Sequence, residues 1–379
     1  MAQRLKTDWI LFFAILAMVF FGLLMMYSAS SVMAELKFKS TYHFAFRQLA
    51  WILVSLSLMM LLKKTHYRRL AESQVAFTGI GLVLVLLLAV YFIDSQHHRW
   101  LRLGGLGFQP SELAKPALIV FLAFFVSMRQ RAINDRHTLL PAAITVGLVT
   151  FGVVVADLGT AVVLAATATV VFFVAGLEWR YCFVALAVAL LGVVFFVVSK
   201  PYRLARIVGF VDPEYNIISK FDPRGKVKEH VQRSLVSRDT KYQAQQSKIA
   251  VGAGGPAGLG LMQSKQKLFY LPEAHTDFVY AVVCEELGLL GSLGVLAGFI
   301  VILCRGIRTT VLAQDDFGRY LALGITTALA VQAFMNMSVV LDLMPTKGIP
   351  LPMISSGGSS MLSTLMSLGL LLNVSEHAG

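Results

Sequence analysis

Residues 139–176 read LLPAAITVGLVTFGVVVADLGTAVVLAATATVVFFVAG, and the only ionisable side chain among them is Asp157. About 20 apolar residues in a helix cross a hydrocarbon core of about 30 Å. The stretch therefore reads as two closely spaced spans, 139–156 and 159–176, separated by Asp157 and Leu158. Lipid cannot hydrogen-bond a bare backbone, so such runs must be helices, and the short alternating pattern of an outer-membrane barrel is absent. Outward from this pair the same pattern recurs at 9–33, 44–62, 75–93, 111–128, 179–199, 276–304, 318–343 and 351–374, which makes about ten spans. The composition agrees: 57% of the 379 residues are hydrophobic and 14% charged, with a mean hydropathy of +0.71, whereas a soluble domain carries roughly a quarter charged residues. The fold class is all-α and polytopic, which excludes a soluble enzyme with one lipid anchor.

The chain divides into helices 1–7 over residues 1–199, a large polar loop over 200–275, and helices 8–10 over 276–379. With the N-terminus inside, the inner ends and loops hold Arg4, Lys6, Lys63, Lys64, Arg68, Arg69, Arg129, Arg131, Arg136, Arg180, Arg305, Arg308 and Arg319, and the short outer loops hold only Lys37, Lys39, Arg99, Arg102 and Lys347. That asymmetry follows the positive-inside rule and places both termini in the cytoplasm and the large loop outside. Residues 9–33 are too long for a signal-peptide core and lack a convincing cleavage site, so they read as a retained anchor. Cys182, Cys284 and Cys304 lie within or at the edge of apolar segments and form no metal or redox pair.

Much of the net +12 charge resides in the large loop. A solvated face beside anionic headgroups accounts for it, and a nucleic-acid partner is implausible outside the membrane. Its latter part, 242–270, mixes aromatics, amides and glycines as an ordered surface does. Gly252, Gly254, Gly255, Gly258 and Gly260 miss the G-x-G-x-x-G spacing and no G-K-[ST] follows them, so tight turns and close backbone approach are the better reading.

Ionisable groups at the rim of a membrane helix cost several kcal/mol unless paired or functional. One cluster runs from Arg99 and Trp100 through Gln109-Pro110-Ser111-Glu112 to Lys115, with Glu112 and Lys115 sharing a helix face at i and i+3. It reads either as an internal ion pair or as a polar wall for a charged substrate. A second is Pro272-Glu273-Ala274-His275-Thr276-Asp277-Phe278. Thr276 is expected to be an N-cap, placing Asp277 in the first helical turn, where free N–H groups keep a carboxylate ionised and able to accept a proton. Glu285 and Glu286, about 12 Å further along that helix, need partners. An arginine or lysine from a neighbouring helix is the default, and a proton or ion pathway is the alternative. His97-His98 lacks the companions that tetrahedral metal ligation requires.

Taken together these blocks resemble the SEDS (shape, elongation, division and sporulation) family of bacterial cell-wall proteins over nearly the whole chain. The resemblance rests on Arg99-Trp100, Gln109-Pro110-Ser111-Glu112 with Lys115, Asp157-Leu158-Gly159-Thr160, and Gln246-Ser247-Lys248. It continues through Gln266-Lys267, Leu271 to Phe278, Glu285-Glu286-Leu287-Gly288, Pro345-Thr346-Lys347-Gly348, and Ser355-Ser356-Gly357-Gly358-Ser359-Ser360. The Pro-Thr-Lys-Gly run is closer to the division-type than to the elongation-type branch.

The resemblance implies a peptidoglycan glycosyltransferase of the bacterial cytoplasmic membrane that polymerises lipid II, working with a class B penicillin-binding protein and other divisome or elongasome proteins. It assigns Asp277 as general base and makes Lys267, Lys248, Arg99 and Lys115 candidates for diphosphate contact, with Glu112 orienting Lys115. Trp100, Asp157, Gln266, His275, Thr276, Ser355, Gly357 and Gly358 are further substrate-binding candidates. Inversion from an α-linked donor to a β-1,4 product needs in-line attack with no covalent intermediate, so one carboxylate can suffice. A divalent cation, Mg or Mn, bridging the diphosphate suits this chemistry, although no ligand set in the sequence demonstrates one. The alternatives are a lipid II flippase, for which buried Glu285 and Glu286 are equally natural, and a non-catalytic scaffold.

Overall fold

The structure, a computed structural model, describes residues 7–94, 99–103, 106–198, 236–345 and 348–378, with positions 207 and 210. His97, His98, Lys347 and most of the basic loop before Val236 lie outside the described residues.

The helices are α1 (Trp9–Phe38), α2 (His43–Lys64), α3 (Ser73–Ile93), α4 (Pro110–Arg129), α5 (Arg136–Ala156), α6 (Leu158–Val174), α7 (Trp179–Val198), α8 (Val236–Gly254), α9 (Val279–Leu312), α10 (Asp316–Val340) and α11 (Gly358–His377). Among the described residues eight helices are long and apolar enough to cross a membrane, and α6 and α7 are further apolar helices. These ten helices fall where the ten spans are anticipated, and polar α8 is an addition from the large loop. The strands among the described residues form one short hairpin, β1 (Leu101–Leu103) against β2 (Leu106–Phe108), with Leu101 opposite Phe108.

Helices α4, α10 and α11 form the centre of the bundle and bury most of their surface. Proline within α4 is tolerated because its neighbour compensates. Pro116 has no N–H to offer the Glu112 carbonyl one turn earlier, and Ser363 Oγ of α11 donates to that oxygen instead, at 2.7 Å.

Two spans differ from expectation. α9 starts at Val279 and runs to Leu312, past the expected 304, because Arg305 and Arg308 are good helix formers that extend it beyond the apolar core. Its 34 residues would measure about 51 Å unbroken, but the helix breaks at Gly288, whose φ of 64° is left-handed. Residues 255–260 fill the break. Leu259 and Gly260 donate to the carbonyls of Glu285 and Glu286 at 3.0 and 2.9 Å, and Leu289 and Leu290 donate to Gly255 and Pro256 at 2.9 and 3.3 Å. Backbone freed at membrane depth is thus satisfied by protein. The approach is so close that a Cβ on Gly258 would overlap the Glu286 carbonyl oxygen, which is the close backbone approach read from the glycine cluster. The last span also differs: α11 begins only at Gly358, and 348–357 is a non-helical segment that turns back into the bundle.

Both described chain ends lie at one end of the bundle. Thr7 Oγ1 donates to Glu376 at 2.5 Å, Lys63 pairs with Glu376 at 2.6 Å, and Arg305 pairs with Asp8 at 2.6 Å. Asn373 Nδ2 ties down the end of α2 through the carbonyls of Leu62, Lys63 and Thr65, at 3.2, 2.6 and 2.8 Å.

Candidate active site

At the opposite end, segment 348–358 is the hub on which the polar clusters converge. It leaves no room for side chains on its neighbours: a Cβ on Gly22 of α1 would overlap the Met353 carbonyl oxygen, and one on Gly358 would overlap Trp51 of α2. Gly357 N donates to Gln48 Oε1 at 3.4 Å, and Ser355 Oγ accepts from Leu351 N at 2.8 Å. Ser355, Gly357 and Gly358 therefore shape this segment.

Asp277 sits where the large loop joins α9. Its carboxylate lies against Gly348, where an added Cβ would overlap Oδ2. The expected cap geometry is corrected here: Phe278, not Thr276, is the N-cap of α9, and Asp277 precedes the helix. The reason is local. Glu273 adopts a positive φ of 55°, and the turn it makes brings Thr276 Oγ1 onto the Glu273 carbonyl and carboxylate, at 3.2 and 2.8 Å, away from the helix start. Asp277 is anchored through its backbone instead. Asn336 Nδ2 of α10 donates to the Asp277 carbonyl at 2.8 Å and to the Ile349 carbonyl at 2.6 Å. His275 O accepts from Ser356 N at 3.0 Å, and the imidazole packs on Phe44 with centroids 5.4 Å apart. Burial above all pushes His275 below its ordinary pKa, with Glu273 pulling it up and Lys37 pulling it further down.

Arg99 and Asp157 meet at 3.6 Å. The Arg99 guanidinium also lies 5.8 Å from the centroid of the Trp100 ring, within cation–π range. Asp157 caps α6 by accepting from Gly159 N and Thr160 Oγ1, both at 2.9 Å. The Gly159 turn abuts Ile349, so this pair reaches the segment beside Asp277.

Glu112 and Lys115 pair at 2.7 Å, with side chains 2% and 6% exposed. Lys115 Nζ also donates to Gln332 Oε1 at 2.7 Å, and Gln332 Nε2 donates to Pro350 O at 2.9 Å. Lys267 is likewise closed off. It pairs with Glu286 at 2.7 Å, and Ser28 Oγ of α1 donates to Glu286 at 2.7 and 2.6 Å while accepting from Lys267 at 3.1 Å. The cationic partner of Glu286 is therefore a loop lysine rather than an arginine or lysine of a neighbouring helix. Glu285 accepts from Ser264 Oγ at 2.5 Å, from Lys265 N at 2.9 Å and from Gln266 N at 3.3 Å. These carboxylates pin the loop that leads to Asp277. Lys115 and Lys267 present no open ammonium to a diphosphate in this arrangement. Lys248 is 60% exposed and pairs with Asp342 beyond the end of α10, while Arg99 is 32% exposed.

Among the described residues no three His, Cys, Asp or Glu side chains come close enough to hold a metal ion. A protein-only ligand set for Mg or Mn does not fit the described residues. Gln332 and Asn336 escape a search confined to ionisable residues. Their signal is two amides spaced i, i+4 within Ala328–Met337, a stretch of α10 whose other residues are all apolar.

A family model described as cell cycle protein, of the FtsW, RodA and SpoVE type, matches residues 8–379. The chain is 39% identical over 377 residues to a probable peptidoglycan glycosyltransferase FtsW of Geobacter sulfurreducens, covering 98% of this chain and 96% of that one. It is 36% identical over 381 residues to stage V sporulation protein E of Bacillus subtilis, covering 99% of each. Among solved structures it resembles the rod shape determining protein RodA of Thermus thermophilus, with a TM-score of 0.68 at 26% identity over 99% of this chain and 98% of that one. It also resembles a chain from a peptidoglycan synthase complex described as coordinating polymerization and crosslinking, with a TM-score of 0.75 at 29% identity over 98% of each.

Proposed function

Because the chain belongs to the FtsW/RodA/SpoVE family, we propose that it is a peptidoglycan glycosyltransferase that polymerises lipid II at the outer face of the bacterial cytoplasmic membrane. Asp277 takes the proton from the 4-hydroxyl of the acceptor sugar as that oxygen attacks the anomeric carbon of the donor, and the undecaprenyl diphosphate departs from the opposite face. The observation that supports this most is the position of Asp277. It is a carboxylate on non-helical backbone at one end of the bundle, next to the segment on which α1, α2, α6, α10 and α11 converge. The apolar flanks of the helices suit a lipid tail that stays in the bilayer.

The departing diphosphate needs positive charge. Arg99 and Lys248 are the candidates with exposed side chains, and Lys115 and Lys267 act by holding the surrounding segments. The gathering of both chain ends among inner-loop cations supports cytoplasmic termini. A class B penicillin-binding protein is the proposed partner, supported by the likeness to a chain of a synthase complex, and the division-type similarity supports a role in septal synthesis.

The test is incubation of the purified protein with labelled lipid II, with and without its cognate class B penicillin-binding protein, beside Asp277→Asn. Glycan polymer from the wild type that disappears in the variant is the expected result. Polymer surviving in Asp277→Asn removes Asp277 as base, and precursor crossing proteoliposomes without polymer replaces the polymerase with a flippase.

A further inference from the structure

We infer that Asn336 is a positioning residue for this reaction, setting where the Asp277 carboxylate stands relative to the 348–350 segment. The inference rests on the polymerase reading. Asn336 is 1% exposed, and its single amide nitrogen donates to two carbonyls from distant parts of the chain, Asp277 at 2.8 Å and Ile349 at 2.6 Å. The opposite amide orientation would set oxygen against both carbonyls, so the donor assignment is forced. Oδ1 has no hydrogen-bond partner among the described residues, so both protons of Nδ2 are engaged while the acceptor goes unused. Ile349 follows Gly348, the residue against which the Asp277 carboxylate is packed. One side chain therefore fixes the backbone on both sides of the carboxylate's contact. Gln332, one turn earlier, repeats the device by joining Lys115 to the carbonyl of Pro350. α10 thus acts as a ruler for the site without supplying a reacting group.

A misplacement of about 1 Å at a reacting group costs about 100-fold in rate. Asn336→Ser, too short to span both carbonyls, is expected to lower kcat about 100-fold while KM for lipid II stays within about twofold. Asn336→His, which keeps one N–H donor at similar reach, is expected to recover at least about tenfold of that loss. Wild type and Asp277→Asn are assayed alongside. If the wild type makes no polymer, the polymerase reading fails and takes the positioning role with it. If the wild type is active and Asn336→Ser matches it in kcat, or changes KM alone, the positioning role fails and the reading stands. Should Asn336→Ser not fold, Asn336→Gln probes the same relation, since it keeps the amide and moves its nitrogen by one methylene away from the carbonyls of Asp277 and Ile349. A fall in kcat at constant KM supports the positioning role, and an unchanged kcat overturns it.

Discussion

Replacing Lys267 by methionine isolates the interaction that ties the loop before Asp277 to the bundle. The Lys267 and Glu286 side chains are 3% and 0% exposed and 2.7 Å apart. Methionine keeps much of the lysine's apolar stem and removes the charge, leaving the Glu286 carboxylate, among the described residues, with the Ser28 hydroxyl and the Ser264 amide as donors. Removing one partner of a buried pair costs about 3–5 kcal/mol, because the remaining charge stays desolvated. Removing both with neutral groups of similar shape is far milder. Equilibrium unfolding in mixed micelles should therefore show Lys267→Met losing about 3–5 kcal/mol, and Lys267→Met with Glu286→Gln regaining most of it. A loss below about 1 kcal/mol for the single variant, the level of an exposed pair, would refute the buried-pair reasoning. So would a double variant whose loss equals the sum of the two singles.

Gly258→Ala should lose about 1–3 kcal/mol by overpacking against the Glu286 carbonyl, where φ is also left-handed at +82°; Gly81→Ala on α3, where a Cβ meets nothing within 4 Å, serves as its unaffected control in the same unfolding measurement. Ser363→Ala should cost about 1–3 kcal/mol by orphaning the Glu112 carbonyl that Pro116 cannot serve, and Ser363→Thr, which retains a hydroxyl, should cost less. At the end of the bundle that holds both described chain ends, burial pushes the Asp315 carboxyl up, but the Gly318 amide, the Tyr67 hydroxyl and Arg68 outweigh it and hold its pKa below the ordinary value. Its contribution to stability is present above the unfolded pKa of about 3.9 and is lost as pH falls through the lower folded value, so Asp315→Asn should flatten the acid limb of a thermal-stability profile. Burial, followed by Asp315, pushes Tyr67 to about 12. The unfolded chain then loses that proton first, and Tyr67→Phe should remove a fall in stability above about pH 10.

Membrane spans are legible because lipid permits only helices and closed barrels, and the run 139–176 declares two helices without help from the rest of the chain. Their ends are less legible. Thr276 has the chemistry of a cap, but the turn at Glu273 claims its hydroxyl, and the positive φ that makes this turn falls on a glutamate, a residue type that does not announce it. The break at Gly288 is hidden as well: Glu285-Glu286-Leu287-Gly288 is compatible with a continuous helix until residues 255–260 supply the competing hydrogen bonds. The glycine cluster signalled close approach, yet nothing in it named α9 as the partner. Within the site, charge made Asp277, Arg99 and Asp157 visible, whereas Asn336 and Gln332 carry no charge and declare themselves only by polar spacing on an apolar helix.

The interrupted α9 also constrains how the protein is made. Residues 255–260 are synthesised before α9, and that helix cannot complete its own ladder at Gly288. Until the preceding loop has docked, two carbonyls and two amides of α9 lack the partners it supplies, and each such group costs several kcal/mol in hydrocarbon. Docking of the loop thus becomes a step in assembly: a chain whose 255–260 turn is displaced is left with an incomplete hydrogen-bond ladder in the helix that follows Asp277.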